Sequence, residues 1–96
     1  MMKFELGQLV ATRGVVDLME ENKEFATFVQ FSFLRYNKCL WGEMDRADKE
    51  ANNRAVEAGD QRILAAYIHP KHPEWKIWII TECDHSATTI LFPSEY

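Results

Sequence analysis

The sequence has few of the residues that dominate disordered, disulfide-bonded or membrane-spanning chains. Four Gly and three Pro among 96 residues form no low-complexity tract, so long disordered stretches are not expected. The two cysteines, Cys39 and Cys83, occur without an apolar signal segment, which indicates a reduced, cytoplasmic protein. The longest uninterrupted apolar run, residues 77–80, is far shorter than the roughly 20 residues that cross a bilayer. We therefore predict no membrane association.

Basic residues are also outnumbered. Eleven Lys and Arg are scattered among fifteen Asp and Glu, which gives a formal net charge of −4. Direct binding to DNA or RNA needs a basic surface that displaces counterions from phosphates, so the composition disfavours it. The acidity is too mild and too mixed to predict a DNA mimic. A basic protein partner is compatible with this charge.

Apolar residues, in contrast, are plentiful enough for one core. Hydrophobic residues make up 47% of the chain and aromatic residues 12%, so we predict a single domain over 1–96. The apolar periodicity predicts a strand at 7–12, helices at 15–21, 23–37 and 45–58, and strands at 62–69, 75–83 and 86–92. The predicted fold class is α+β, in the order β-α-α-α-β-β-β. The helices are expected on one face of a three- to four-stranded antiparallel sheet.

Two features of the predicted helices leave alternatives open. The helix at 23–37 has an aromatic stripe (Phe25, Phe28, Val29, Ser32, Phe33 and Tyr36), which Phe31 and Leu34 widen. Burial in the core is the favoured interpretation, and an exposed aromatic patch for a partner is the alternative. Asn22 is predicted to end the preceding helix in a left-handed conformation. The helix at 45–58 is expected to turn its alanines inward (Ala47, Ala51, Ala55 and Ala58) and to carry a Glu50–Arg54 ion pair.

Known catalytic patterns are missing from the sequence. It contains no Gly-x-Ser-x-Gly, no Gly-x-Gly-x-x-Gly and no Gly-Lys-Ser/Thr segment. Turn formation and helix capping explain the carboxylate pairs Glu82/Asp84 and Asp45/Asp48 without catalysis. We therefore predict no catalytic residues and no cofactor.

One set of residues has the composition of a zinc site: His69, His72, Cys83 and His85. A strand at 75–83 would be roughly 30 Å long, which is expected to hold the two pairs apart. The favoured interpretation is therefore solvated loop histidines and one buried thiol. The alternative is a small metal-dependent enzyme or regulator that uses these four residues with Asp84.

Two segments of the last third are the most specific parts of a resemblance that spans nearly the whole chain: Lys-Ile-Trp-Ile-Ile-Thr-Glu at 76–82 and Ser-Ala-Thr-Thr-Ile-Leu-Phe-Pro at 86–93. They resemble a family of small bacterial proteins carried on plasmids, integrative elements and phages. Members are usually labelled "plasmid-related protein" or "type I restriction endonuclease subunit M". The second label cannot be literal, because a methyltransferase subunit needs a far larger cofactor-binding domain. The chain also departs from the family where Arg35-Tyr36 replaces an Arg-His pair and Asp84-His85 replaces Asp-Arg, which weakens any inherited polar site.

The resemblance implies an accessory protein of a mobile genetic element. Our leading hypothesis is a non-enzymatic protein-binding module that inhibits a bacterial defence complex, of the anti-restriction or anti-CRISPR type. Trp is enriched at binding hot spots, so Trp41 is a candidate contact, although burial under a loop is the favoured interpretation. The predicted partner-binding residues are Trp41, Glu43, Asp45, Asp48, Glu50 and Glu57. A structural homodimer, built on the Phe-rich helix or a free sheet edge, is a further alternative.

Overall fold

The computed structural model describes residues 4–96. The elements, in chain order, are β1 (Gln8–Ala11), α1 (Arg13–Glu21), α2 (Lys23–Asn37), α3 (Arg46–Ala58), β2 (Ile63–Ile68), β3 (Lys76–Thr81) and β4 (Ala87–Leu91), followed by a short 3₁₀ turn at Pro93–Glu95. The α+β class and the predicted order of elements are confirmed. None of the helices within 4–96 has the length and apolar character needed to cross a membrane.

The four strands form one sheet in the order β1-β4-β3-β2. The last three strands form the expected antiparallel meander, in which Ala65 pairs with Ile79 and Ile79 pairs with Ile90. β1 lies parallel to β4, so the sheet is mixed. The pairing of β1 therefore departs from the predicted antiparallel sheet. The three helices between β1 and β2 carry the chain from one edge of the sheet to the other. The meander then returns to β1, where β4 arrives in the same direction as the first strand.

Side chains at the helix ends fix where α2 and α3 begin. The Asp45 carboxylate accepts the Asp48 backbone N–H at 2.8 Å, and Gly59 closes α3 in a left-handed conformation. Asn22 does not adopt the predicted left-handed conformation, because its φ is −138°. Its side chain instead accepts the Phe25 N–H at 3.1 Å. One extended residue therefore ends α1 and caps α2.

The main core lies between the helices and one face of the sheet. The fully buried residues of this core include Val15, Phe25 and Tyr36 from the helices and Ile63, Tyr67, Ile77 and Ile79 from the strands. Burial is the outcome for most of the α2 stripe. Phe31 and Leu34, however, are 60% and 57% exposed. The helix therefore has a buried aromatic face and a separate exposed apolar pair.

The inward face of α3 differs from the predicted alanine stripe. Ala55 is buried, whereas Ala47, Ala51 and Ala58 are exposed. The second buried residue of the helix is Asn52. Its side-chain amide donates to the Leu64 carbonyl at 2.7 Å and accepts the Leu64 N–H at 3.3 Å. The predicted Glu50–Arg54 pair is replaced by Arg46–Glu50, an exposed contact of 3.2 Å that contributes little stability.

The outer edge of β2 is closed by three residues: Asn52, Trp41 and Glu43. The Asn52 amide forms hydrogen bonds with the N–H and the carbonyl of Leu64, as described above. The Trp41 carbonyl accepts the Ala66 N–H, and the Glu43 N–H donates to the Ala66 carbonyl at 2.7 Å. The Glu43 carboxylate accepts the Ile68 N–H at 3.0 Å. Because these contacts use the backbone groups that another strand would need, this edge is protected against pairing.

A chain of buried hydroxyl groups connects α2 to the sheet. Tyr36 and Thr81 are joined at 2.6 Å, Thr81 and Thr88 at 2.8 Å, and the Thr88 hydroxyl donates to the Leu6 carbonyl at 2.7 Å. Burial raises the pKa of Tyr36 above its ordinary value, so the phenol remains a neutral member of this chain. Each hydroxyl satisfies its neighbour, which allows polar groups at the centre of a small core.

Glu95 fastens the C-terminal turn to the start of α1. Its carboxylate accepts the Thr12 hydroxyl at 2.6 Å and the Gly14 and Phe92 N–H groups at 3.1 Å each. The Thr12 hydrogen bond, with help from the two backbone donors, holds the pKa of Glu95 below its usual range.

We predict that this C-terminal attachment loosens on acidification. A depressed folded pKa means that the stabilisation is fully present above the pKa of the unfolded chain, and that it is lost as the pH falls through the lower folded pKa. Two-dimensional NMR between neutral pH and pH 3 should show the Gly14 amide shifting with the titration of Glu95. In Glu95→Gln that shift should disappear. A Gly14 titration that persists in this variant would contradict the assignment.

Candidate binding groove

A groove of about 720 Å³ runs between α2 and the end of β2 with the loop that follows it. It is lined by apolar residues (Phe28, Phe31, Ile68, Pro70 and Pro73) and by polar ones (Glu24, Thr27, Ser32, Arg35, Glu43 and His69). The volume falls in the range of small-molecule and short-peptide sites. A mainly apolar lining with a few convergent polar groups is typical of such sites.

Arg35 lies at one end of the groove between two aromatic rings. Its guanidinium carbon is 6.0 Å from the centre of the Phe31 ring and 5.2 Å from that of Tyr67. Tyr67 is fixed in turn, because its hydroxyl donates to the Leu40 carbonyl at 2.7 Å. Burial raises the pKa of Tyr67, against the opposing effect of the Arg35 charge. Within 4–96 no carboxylate forms an ion pair with Arg35, so its planar donors remain available to a ligand.

Ser32 supplies an unpaired hydroxyl to the same groove. The residue is only 1% exposed, and its Oγ has no hydrogen-bond partner among the described residues. A buried polar atom without a partner costs free energy, on the order of 1–3 kcal/mol. Because the Oγ atom itself is buried, a ligand in the groove would contact it only after the neighbouring side chains move.

The opposite end of the groove carries histidine and glutamate. His69 Nε2 lies 3.6 Å from one oxygen of Glu24, and His72 Nε2 lies 3.4 Å from the other. His69 Nδ1 accepts the Lys71 N–H at 3.0 Å. When the ring is neutral its proton is therefore on Nε2, which faces Glu24. His69 therefore lines this end of the groove with a protonated Nε2 that faces Glu24 and is unsuited to ligate a metal.

The four residues of the alternative zinc site are not brought together. His69 and His72 contact each other, with ring centres 5.0 Å apart, whereas His85 packs against Phe4. Cys83 is exposed, whereas a buried thiol was expected. The His69 side chain is largely buried, whereas a solvated histidine was expected. Across residues 4–96 no three His, Cys, Asp or Glu side chains are placed to hold a metal ion.

The predicted partner-binding residues serve several different purposes. Trp41 is 3% exposed, and its indole N–H donates to Asn53 at 2.9 Å, so burial under the loop is the observed outcome. Asp45 caps α3, and Glu50 pairs with Arg46. Asp48 and Glu57 are exposed on α3. Only Glu43 lines the groove.

Comparison of the chain with protein families, curated proteins and solved structures finds no match in any of the three. The assignment of a site therefore depends on the groove itself. Ser32 and His69 both line the groove, and a serine with a histidine base would be one route to catalysis there. Because Ser32 Oγ contacts no base, the activated nucleophile of a hydrolase is not formed in this geometry.

The sequence analysis did not identify Arg35, Ser32 or His69 as parts of one site. The sequence of α2 does indicate that four of the lining residues share one face of the helix. They follow one another at helical spacing: Glu24, Phe28, Phe31 and Arg35. What the sequence did not show was which loop lies opposite this face. That pairing depends on the end of β2, more than thirty residues further along the chain.

Proposed function

We propose that this chain is a non-catalytic protein-binding module whose groove takes an extended segment of a partner protein. The observation that carries the proposal is Arg35, a guanidinium held by two aromatic rings without a carboxylate partner among residues 4–96. Arginine and exposed aromatic side chains are the groups most enriched at binding hot spots. Phe31, at 60% exposure, is the apolar contact beside it.

The lining specifies the chemistry of that segment. An acidic side chain or a C-terminal carboxylate would pair with Arg35, and an apolar side chain would lie on Phe31 and the prolines of the facing loop. From Glu24 to Arg35 α2 rises about 16 Å, which corresponds to roughly five residues of extended chain.

In the cell we propose an accessory role for a mobile genetic element, with a bacterial defence complex of the restriction or CRISPR type as the target. The family resemblance and the net charge of −4 support this role. Complexes that process nucleic acids have basic surfaces, which attract an acidic protein over distances set by salt screening. The groove would then provide the specific contact that the overall charge cannot.

Affinity capture tests the placement of the site. The tagged protein would be incubated with a lysate from bacteria with active restriction and CRISPR systems, and captured proteins would be identified by mass spectrometry. Arg35→Gln and Phe31→Ala should each weaken retention of a specific partner by about tenfold or more, because hot-spot truncations cost about 2 kcal/mol or more.

Two matched variants control this experiment. Leu34→Ala removes an equally exposed apolar residue of α2 outside the groove lining. Arg54→Gln removes an exposed arginine from α3. Both should retain the partner, and circular dichroism should show all four variants folded. Equal loss with the control variants, or full retention with the groove variants, would contradict the proposal.

A further inference from the structure

The two edges of the sheet differ in whether other parts of the chain form hydrogen bonds to them. The outer edge of β2 is occupied by the Asn52 amide, the backbone at Trp41 and Glu43, and the Glu43 carboxylate. The outer edge of β1 has no such cover from the described residues. Gln8 and Thr12 donate to the Ser86 and Ile90 carbonyls, so the backbone groups of Leu9 and Ala11 point away from the sheet.

The open edge also has no protective side chain. The strand Gln-Leu-Val-Ala contains no charge and no proline. Leu9 is 49% exposed and Val10 is 39% exposed. Edge strands of monomeric proteins are normally protected by lysine, proline, bulges or covering segments. An uncharged apolar edge, in a protein that closes its other edge with five hydrogen bonds, indicates a surface that pairs.

We propose that β1 pairs antiparallel with β1 of a second copy of this chain and joins the two sheets into one of eight strands. A two-fold axis at Val10 places Leu9 of each copy opposite Ala11 of the other. Because both residues direct N–H and C=O outward, this register gives four hydrogen bonds between the copies. The two Val10 side chains meet at the axis as a non-hydrogen-bonded pair.

Charge favours a second copy in this orientation. Glu5 precedes β1 and Arg13 follows it, and both are exposed. Antiparallel pairing brings the acidic end of one strand beside the basic end of the other, whereas parallel pairing would bring like charges together. A four-residue strand buries little area, so the dimer forms and dissociates with concentration.

Analytical ultracentrifugation of the full chain over a wide concentration range tests this proposal. The mass should rise from that of the 11.2 kDa chain toward twice this value. Val10→Lys places two like charges at the axis and should keep the protein monomeric at every concentration. Leu9→Pro removes an outward N–H without breaking a hydrogen bond to β4 and should have the same effect, with an unchanged circular dichroism spectrum. Should Leu9→Pro not fold, Val10→Lys decides the matter alone.

Controls separate this surface from the groove. Leu40→Lys changes an exposed apolar residue away from β1 and should still dimerise. Phe31→Ala should also dimerise, so loss of partner capture and loss of dimer are distinct failures. A wild-type mass that stays monomeric throughout, or a dimer that survives Val10→Lys, would overturn the proposal. A dimer lost in Phe31→Ala but kept in Val10→Lys would place the interface on α2 instead.

Discussion

Replacing Gly42 with alanine should lower the free energy of unfolding by about 2–5 kcal/mol. Gly42 has a φ of 78°, and an added Cβ would lie 2.1 Å from the Ala66 carbonyl oxygen. The left-handed conformation costs an L-residue roughly 1–2 kcal/mol, and forcing atoms into a packed site costs about 1–3 kcal/mol more. The clash also breaks the bridge between Gly42 and Ala66 that helps close the β2 edge. Urea denaturation followed by circular dichroism measures the change.

Gly59 provides a matched control for this variant. Its φ of 77° is nearly the same, but an added Cβ would meet nothing within 4 Å. Gly59→Ala should therefore cost only the conformational part, about 1–2 kcal/mol. The difference between the two variants isolates the close approach of Gly42 to β2. Equal losses would show that this approach is not tight in the folded protein.

The elements that depend on local signals were predicted well from the sequence. α3 starts and stops where Asp45 and Gly59 indicate, because capping is a contact between near neighbours. The antiparallel meander follows in the same way from short connections between apolar runs. The parallel partner of β1 could not be predicted, since pairing of Gln8 with Ala87 joins residues that are almost a chain length apart.

The long-range uses of polar side chains account for most of the errors. Asn52 was overlooked because the alanine spacing suggested a small apolar face. In the structure its side-chain amide forms the two hydrogen bonds to the Leu64 backbone that a neighbouring strand would form, and so attaches α3 to β2. Arg35 was treated only as a point of departure from the resembled family. The position of its guanidinium, on which the proposed binding role depends, is set by contact with the Tyr67 ring, which belongs to a different element. Nothing near either residue in sequence carries that information.

Trp41→Ala should destabilise the protein by about 3–5 kcal/mol, the range for removal of a buried aromatic side chain. Trp41 packs its ring 5.5 Å from Tyr36 and 6.1 Å from Phe4, and donates its indole N–H to Asn53. Its carbonyl also accepts from Ala66 on β2. The side chain therefore holds the segment before α3 against the core, and the backbone of the same residue attaches it to the sheet. Thermal and urea denaturation should show the loss directly.

Trp41→Phe separates the ring from its hydrogen bond. Phenylalanine keeps an aromatic ring in the core but has no donor for Asn53, so the expected loss is smaller, about 1–2 kcal/mol. A Trp41→Ala variant as stable as the wild type would show that the indole is not part of the core. With the expected loss, any failure of Trp41→Ala to capture a partner would reflect a partly unfolded protein. Partner binding is therefore better tested at Phe31 and Arg35, which the core does not need.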